Sequence, residues 1–345
     1  MSFSKNRVIF RADGNGQIGL GHIMRCIALS EMLKEDFIFA FAVTLPDASL
    51  KIIIETFGEL IVLTSSCKTE ELSELDQFLS DSDIFVADGY HFDLDYQKHI
   101  KSIVYKMVMI DDLADADFCA DLVINHGNDA VIDKYKRETH VKILTGFKYL
   151  IVRLDFLNAA KKIKNISQIK TAFICMGGAD PYNTTMKVLK GCIQSGLFKD
   201  IIVIIGAAYS YLEDLNMLIE SYQNGTNIKL LQNINSKEMI KYISISDLCI
   251  CPSSSISLEV CCVTSGLLTG MTAENQSGIH DQLIKDNCCI SLGNFNTIEV
   301  GEIAAVINRM SKVNIISEIM KNQRLVIDGK SNERILNQFK LLSRC

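Results

Sequence analysis

Two rhythms of apolar and polar positions take turns along this chain. Short runs rich in Val, Ile and Phe, namely RVIFRAD (7–13), IFAFAVTL (38–45), LIVLT (60–64), DIFVADG (83–89), KMVMIDD (106–112) and DLVIN (121–125), are separated at first by stretches of helical period at 20–34, 47–57 and 70–80. Runs that are apolar at nearly every position suit strands covered on both faces, as in a parallel sheet built from βαβ units. After a basic stretch, AAKKIKNISQIK (159–170), the rhythm restarts with TAFICMGG (171–178), DIIVIIG (200–206), NIKLLQ (227–232), DLCICPSSS (247–255), SGLLTG (265–270) and CCISLG (288–293), each followed by a helical stretch. The pattern predicts two α/β domains with parallel sheets, residues 1–155 and 168–345, with the basic stretch as linker. No fixed sequence period marks a repeat array.

Composition narrows the function classes. A length of 345 residues exceeds what one hydrophobic core usually organises, and 48% hydrophobic residues with only 3 prolines suit a well-packed interior. A net charge of -6, with Lys and Arg spread evenly, leaves no basic face for nucleic acid. The apolar stretches at 37–45 and 201–206 fall short of the roughly 18 residues that span a bilayer, so no membrane partner is expected. The opening MSFSKNRVIF has no leader-like apolar stretch, and twelve cysteines in a chain of this length read as reduced thiols, so a cytoplasmic protein is expected. Cys249 and Cys251, Cys261 and Cys262, and Cys288 and Cys289 form close pairs without zinc-ligand spacing, so no metal is expected.

Ligands in such sheets bind beyond the carboxyl ends of the strands, which puts the weight on the residues after each run. All three prolines, Pro46, Pro181 and Pro252, sit there as strand terminators. Gly14, Gly16 and Gly19 satisfy the dinucleotide G-x-G-x-x-G spacing after the first run, but Asp47, past a proline, is the one applicant for a ribose carboxylate. Gly21-His22 then puts an imidazole at a helix start, where the positive dipole end disfavours imidazolium and leaves a ring able to accept a proton from water. A capping or packed histidine is the competing reading. Arg11, Asp13 and Arg25 around the same turn count against it, because buried charges need a ligand or one another.

Other turns add candidates. Asp88 and Tyr90 follow DIFVA, over the same edge as His22, and IDDLAD (110–115) brings carboxylates that suit helix capping as well as chemistry. In the second half Gly177 and Gly178 let a ligand approach the backbone while Asp180 can cap the next helix. Ser253, Ser254 and Ser255 open a helix with hydroxyls and free N–H groups suited to a diphosphate, or simply cap it. Glu259, one turn further, is placed to hold ribose hydroxyls, and Asn275 and Gln276 bring amides to another strand end.

Taken together, R-A-D-G-N-x-x-I-G-x-G-H-x-M-R-C (11–26), D-x-Y (88–90), I-D-D-L-A-D, N-x-G near 125, G-x-x-Y-L-I-x-R (146–153), G-G-x-D-P-x-N (177–183) and E-N-Q (274–276) resemble one family along nearly the whole chain. That family is the UDP-2,4-diacetamido-2,4,6-trideoxy-β-L-altropyranose hydrolases of pseudaminic acid biosynthesis. The resemblance implies a GT-B-like fold, two Rossmann-like domains with a cleft between them. It implies a hydrolase, with His22 as the base that activates water, Tyr90 and Asn275 as catalytic residues on the sugar side, and Ser254, Ser255 and Glu259 on the UDP side. Arg11, Asp13, Gly14, Asn15, Gly19, Gly21, Arg25, Asp88, Gly177, Gly178, Asp180 and Gln276 complete the expected substrate-binding set. Attack at the anomeric carbon would release UDP and free sugar with inversion, without metal or other cofactor, in a monomer. The chain departs from the wider group in SSSISLE (253–259) and VTSGLLTG (263–270), where relatives often carry a glycine and a Gly-x-Pro. A glycosyltransferase, a hydrolysing 2-epimerase, an NAD-dependent oxidoreductase and a non-catalytic binder of sugar nucleotides are the alternatives.

Overall fold

Segments that are apolar on both faces can be buried only in the middle of a layer, and the runs above accordingly form two parallel sheets covered by helices. The computed structural model describes residues 6–14, 20–65, 67–115, 117–137, 140–162, 164–222 and 225–343. The chain divides into two units, Met1–Leu154 with Lys330–Cys345, and Asp155–Gly329.

In the first unit β1 (Asn6–Ala12), α1 (Gly21–Leu33), β2 (Phe37–Thr44), α2 (Ala48–Glu55), β3 (Glu59–Leu63), α3 (Lys68–Leu75), β4 (Ile84–Asp88), α4 (Leu94–Lys101), β5 (Lys106–Ile110), β6 (Asp117–Phe118), β7 (Leu122–Asn125), β8 (Lys136–Arg137) and β9 (Lys142–Thr145) follow one another. Seven of the strands form a parallel sheet in the order β3-β2-β1-β4-β5-β7-β9, and β6 pairs with β8 alone. The order runs outward in both directions from the β1/β4 pair, and at such a reversal the loops after neighbouring strands part and leave room for a ligand. The register sets Ala12 beside Asp88, and Asp88 beside Ile110, so the loops after β1, β4 and β5 leave the sheet at one level.

The second unit repeats the design with α5 (Leu154–Ala159), β10 (Thr171–Cys175), α6 (Thr184–Ser195), β11 (Asp200–Ile205), α7 (Leu212–Ser221), β12 (Asn227–Gln232), α8 (Ser236–Ile245), β13 (Leu248–Pro252), α9 (Ser255–Val263), β14 (Gly266–Met271), α10 (Ser277–Lys285), β15 (Ile290–Asn294), α11 (Val300–Arg309) and α12 (Val313–Val326). Its parallel sheet runs β12-β11-β10-β13-β14-β15, with the reversal between β10 and β13. Both units are Rossmann-like.

Two boundaries differ from the sequence reading. The basic stretch at 159–170 belongs to the second unit: Lys164 Nζ donates to the carbonyls of Ser246 and Ile243 and to Ser265 Oγ, while Ile166 and Ile169 enter the core. The second unit also ends at Gly329 rather than at residue 345, because α13 (Ser331–Leu342) packs on the first. Phe339 is fully buried edge-on to Phe37, with ring centroids 6.1 Å apart, and Lys340 pairs with Asp36 at 2.9 Å. Among the described residues no helix is long and apolar enough to cross a membrane.

Candidate active site

The rim of the first unit collects charge that a hydrophobic sheet could not otherwise hold. Arg25, one turn into α1, is buried and receives two carboxylates. Its Nε and Nη2 donate to Asp88 at 2.7 and 2.6 Å, and its Nη1 and Nη2 donate to Asp112 at 2.6 and 3.0 Å. Such a pair of forked contacts offsets the desolvation of all three groups, whereas removal of one partner would strand the others. Burial opposes ionisation of Asp88, yet the Arg25 guanidinium holds its carboxyl below the usual range. The same contest at Asp112 ends at about 2.

Each carboxylate also meets a ring-bearing candidate, and Asp88 Oδ2 in addition accepts from the Cys26 thiol at 3.9 Å. Asp88 Oδ1 lies 2.7 Å from His22 Nδ1, so the ring donates its Nδ1 proton to the carboxylate and its Nε2 lone pair has no partner among the described residues. The sequence argument for His22 rested on the helix start and the charges around its turn, with Asp88 only over the same edge; the carboxylate that sets its tautomer is that Asp88, from β4. Asp112 Oδ2 accepts from the Tyr90 hydroxyl at 3.2 Å, and the Tyr90 ring stands edge-on to His22 with centroids 4.9 Å apart. His126 lies 3.3 Å from Arg25 Nη1 and accepts the Ile151 N–H at Nδ1; burial, helped by Arg25, pulls its pKa down to about 4. The sequence reading left out Asp112 and His126, although both sit in stretches it singled out. The IDDLAD ambiguity resolves by residue: Asp111 accepts the Ala114 N–H and the Tyr135 hydroxyl, a turn-forming role, while Asp112 faces Arg25.

A second buried cluster flanks the first. Arg11 donates to Glu71 through Nε and Nη2 at 2.8 and 3.0 Å, to Asp13 through Nη1 and Nη2 at 2.6 and 2.8 Å, and to Thr44 Oγ1 at 2.9 Å. Asp13 also accepts the Thr44 N–H, and Tyr96 donates to Glu71. Arg11 is thus committed inside the unit. Glu71, on α3, lies sixty residues away and carries no local signal in the sequence. Gly14 is buried after β1 and Gly21 begins α1, while Asn15, Gly16 and Gly19 lie outside the described residues. Asp47 caps α2 through the Leu50 N–H, which removes the ribose carboxylate that a dinucleotide site would need.

The remaining candidates belong to the second unit. Gly177 has φ +93° at the end of β10, a conformation that favours glycine, and a Cβ at Gly177 or Gly178 would meet open space. Asp180 is spent as a cap, its two oxygens accepting the N–H groups of Thr184 and Thr185. Ser254 precedes α9 with no capping bond from its side chain, so the capping alternative falls away for that hydroxyl, and Ser255 is exposed at the first turn. Glu259 is buried on α9; burial pushes the Cys175 thiol up to about 11, and Glu259 adds to that rise, which places it near the end of β10. Asn275 is exposed in the turn Glu274–Gln276, where the Gln276 amide folds back onto Thr272. The structure therefore gathers His22, Arg25, Asp88 and Tyr90 into one constellation, sets Arg11 and Asp13 in another, keeps Gly14 and Gly21 on the first unit, and carries Gly177, Gly178, Asp180, Ser254, Ser255, Glu259, Asn275 and Gln276 on the second.

No family model matches the chain. The sequence is 27% identical over 246 residues to an uncharacterized protein of Methanocaldococcus jannaschii, covering 68% of this chain and 50% of that relative, so the chain spans about half of it. It is 26% identical over 284 residues to the UDP-2,4-diacetamido-2,4,6-trideoxy-β-L-altropyranose hydrolase of Campylobacter jejuni, covering 81% of this chain and 96% of that one. Among solved structures, MurG of Acinetobacter baumannii superimposes with a TM-score of 0.71 over 97% of this chain and 99% of its own, at 12% identity. The two Rossmann-like units thus have the fold of the GT-B glycosyltransferases and epimerases.

Proposed function

We propose that this protein hydrolyses a UDP-linked diacetamido-trideoxy sugar, UDP-2,4-diacetamido-2,4,6-trideoxy-β-L-altropyranose, at the anomeric C1–O bond. The observation that carries the reading is His22, whose Nδ1–H is held by Asp88 at 2.7 Å while Nε2 is left to take a proton. The similarity to the Campylobacter jejuni hydrolase, which runs through nearly the whole of that relative, supports the substrate. Water attacks C1, its proton passes to His22 Nε2, and the C1–O bond breaks with its electron pair leaving on UDP. Attack opposite to the leaving group inverts C1. Asp88 faces the charge that the ring then acquires, as the carboxylate of a catalytic triad does. Tyr90, tied to Asp112, and Asn275 are assigned to the sugar.

UDP is a good leaving group, so the chemistry asks for little beyond a positioned base and compensation of diphosphate charge. The start of α9, with Ser254 and Ser255, is assigned to the diphosphate and Glu259 to the ribose. No step calls for a metal or other cofactor. The test is incubation of the purified protein with this UDP-sugar in 18-oxygen water, without acceptor. UDP release, with the label in the sugar and not in UDP, is expected. Release only with an acceptor would make the protein a transferase, and a product altered at C2 would make it a hydrolysing epimerase.

A further inference from the structure

Beside the His22 constellation lies a cavity of about 230 Å³ lined by Arg11, Asp13, Thr44, Lys68, Glu71, His91 and Tyr96. It is smaller than the roughly 300–1,000 Å³ of pockets that take a whole small molecule, so it suits part of one. Its charges are already committed. Arg11 is shared by Asp13 and Glu71, and Lys68 donates to both oxygens of Asp93 at 2.6 and 2.7 Å. An anion entering there would face two carboxylates whose cation is taken, which argues against phosphate or carboxylate. What remains on offer is neutral hydrogen bonding: spare lone pairs on Asp13, the Thr44 hydroxyl and the third ammonium hydrogen of Lys68. His91 adds to this. Neither of its ring nitrogens has a hydrogen-bond partner among the described residues, and burial together with the nearby Arg11 keeps its ring neutral. The rings of His91 and Tyr96 and the Lys68 stem add carbon surface to the wall.

We infer that this cavity is the subsite for an uncharged secondary-amide substituent of the sugar, an acetamido arm whose N–H is accepted by Asp13, whose carbonyl accepts from both Lys68 and His91, and whose methyl lies against the rings. For its substrate the inference rests on the hydrolase reading above. It makes the cavity the place where acetamido sugars are told from their amino or hydroxyl counterparts, because only the amide brings a carbonyl to Lys68 and His91 together with an N–H to Asp13.

The variants His91→Ala and Lys68→Met probe it, since both side chains are partly exposed and neither closes the Arg11 cluster. With the diacetamido UDP-sugar each is expected to raise KM about tenfold, as one lost hydrogen bond would, with kcat within a few-fold. With UDP-sugars carrying a hydroxyl in place of either acetamido group in turn, the variants should lose their effect for one of the two. An equal rise for all three substrates, or none, overturns the inference. A second measurement separates it from the hydrolase reading: NMR titration of 15N-histidine-labelled protein with free 2,4-diacetamido-2,4,6-trideoxy-L-altrose. Perturbation of the His91 ring signals by that sugar, and not by its de-N-acetylated form, supports the subsite even if no UDP-sugar is turned over. Unmoved His91 signals in a protein that does release UDP would sink the subsite and spare the hydrolase.

Discussion

At the scale of single residues the proposal rests on one ring nitrogen. His22→Ala is expected to lower kcat at least about 10²-fold while UDP inhibition stays within a few-fold, because a base acts mainly in the transition state. Unchanged turnover would remove His22 from the role. Asp88→Asn should cost about as much, since an amide no longer selects the tautomer with a free Nε2, and circular dichroism must first show that Arg25 tolerates the loss. His126 yields a prediction about stability. Its folded pKa of about 4 lies below the usual 6.5, so as pH falls from 6.5 towards 4 the unfolded chain takes up a proton that the folded one refuses, and stability declines by about 3 kcal/mol across that window. Thermal melts in steps of pH should show the decline, and His126→Gln should flatten it. That His22, Arg25 and Asp88 stand together was legible in sequence because each follows a strand or lies in the first turns of a helix at the carboxyl edge of the sheet. Asp112 and Glu71 were not, because what distinguishes them is a guanidinium 87 and 60 residues away.

The elements were the most legible level, since a run apolar on both faces has few places to go. Strands β1–β5 and β10–β15 fall on the predicted runs, and α1 falls within 20–34. Some glycines show their reason only here. A Cβ on Gly206 would come within 2.3 Å of the Gly178 carbonyl oxygen, so the loops after β10 and β11 can meet only while Gly206 stays bare. Helix α13 is the element the pattern misplaced. Its period announces an apolar face without saying which unit will cover it. Phe339→Ala should lower unfolding free energy by roughly 3–5 kcal/mol, read by urea denaturation followed at tyrosines of the first unit. If only the second unit loosens, the assignment of α13 is wrong.

At the scale of the whole molecule the proposal divides the work, with the base on the first unit and the uridine diphosphate on the second. Glu259→Ala should therefore weaken UDP inhibition about tenfold or more while slowing the bound complex less, the reverse of His22→Ala, and product-inhibition kinetics on both variants check the pair together. Unaltered UDP inhibition would detach Glu259 from the ribose. The sequence by itself determined the number and kind of layers, the parallel pairing and the candidate turns with the histidine among them, because hydrophobic period and turn chemistry are local quantities. Tertiary structure alone decided which carboxylate meets which guanidinium and that the last helix returns to the first unit. Those choices are settled by burial and charge compensation between segments far apart in the chain, and no local pattern encodes a partner that only folding brings near.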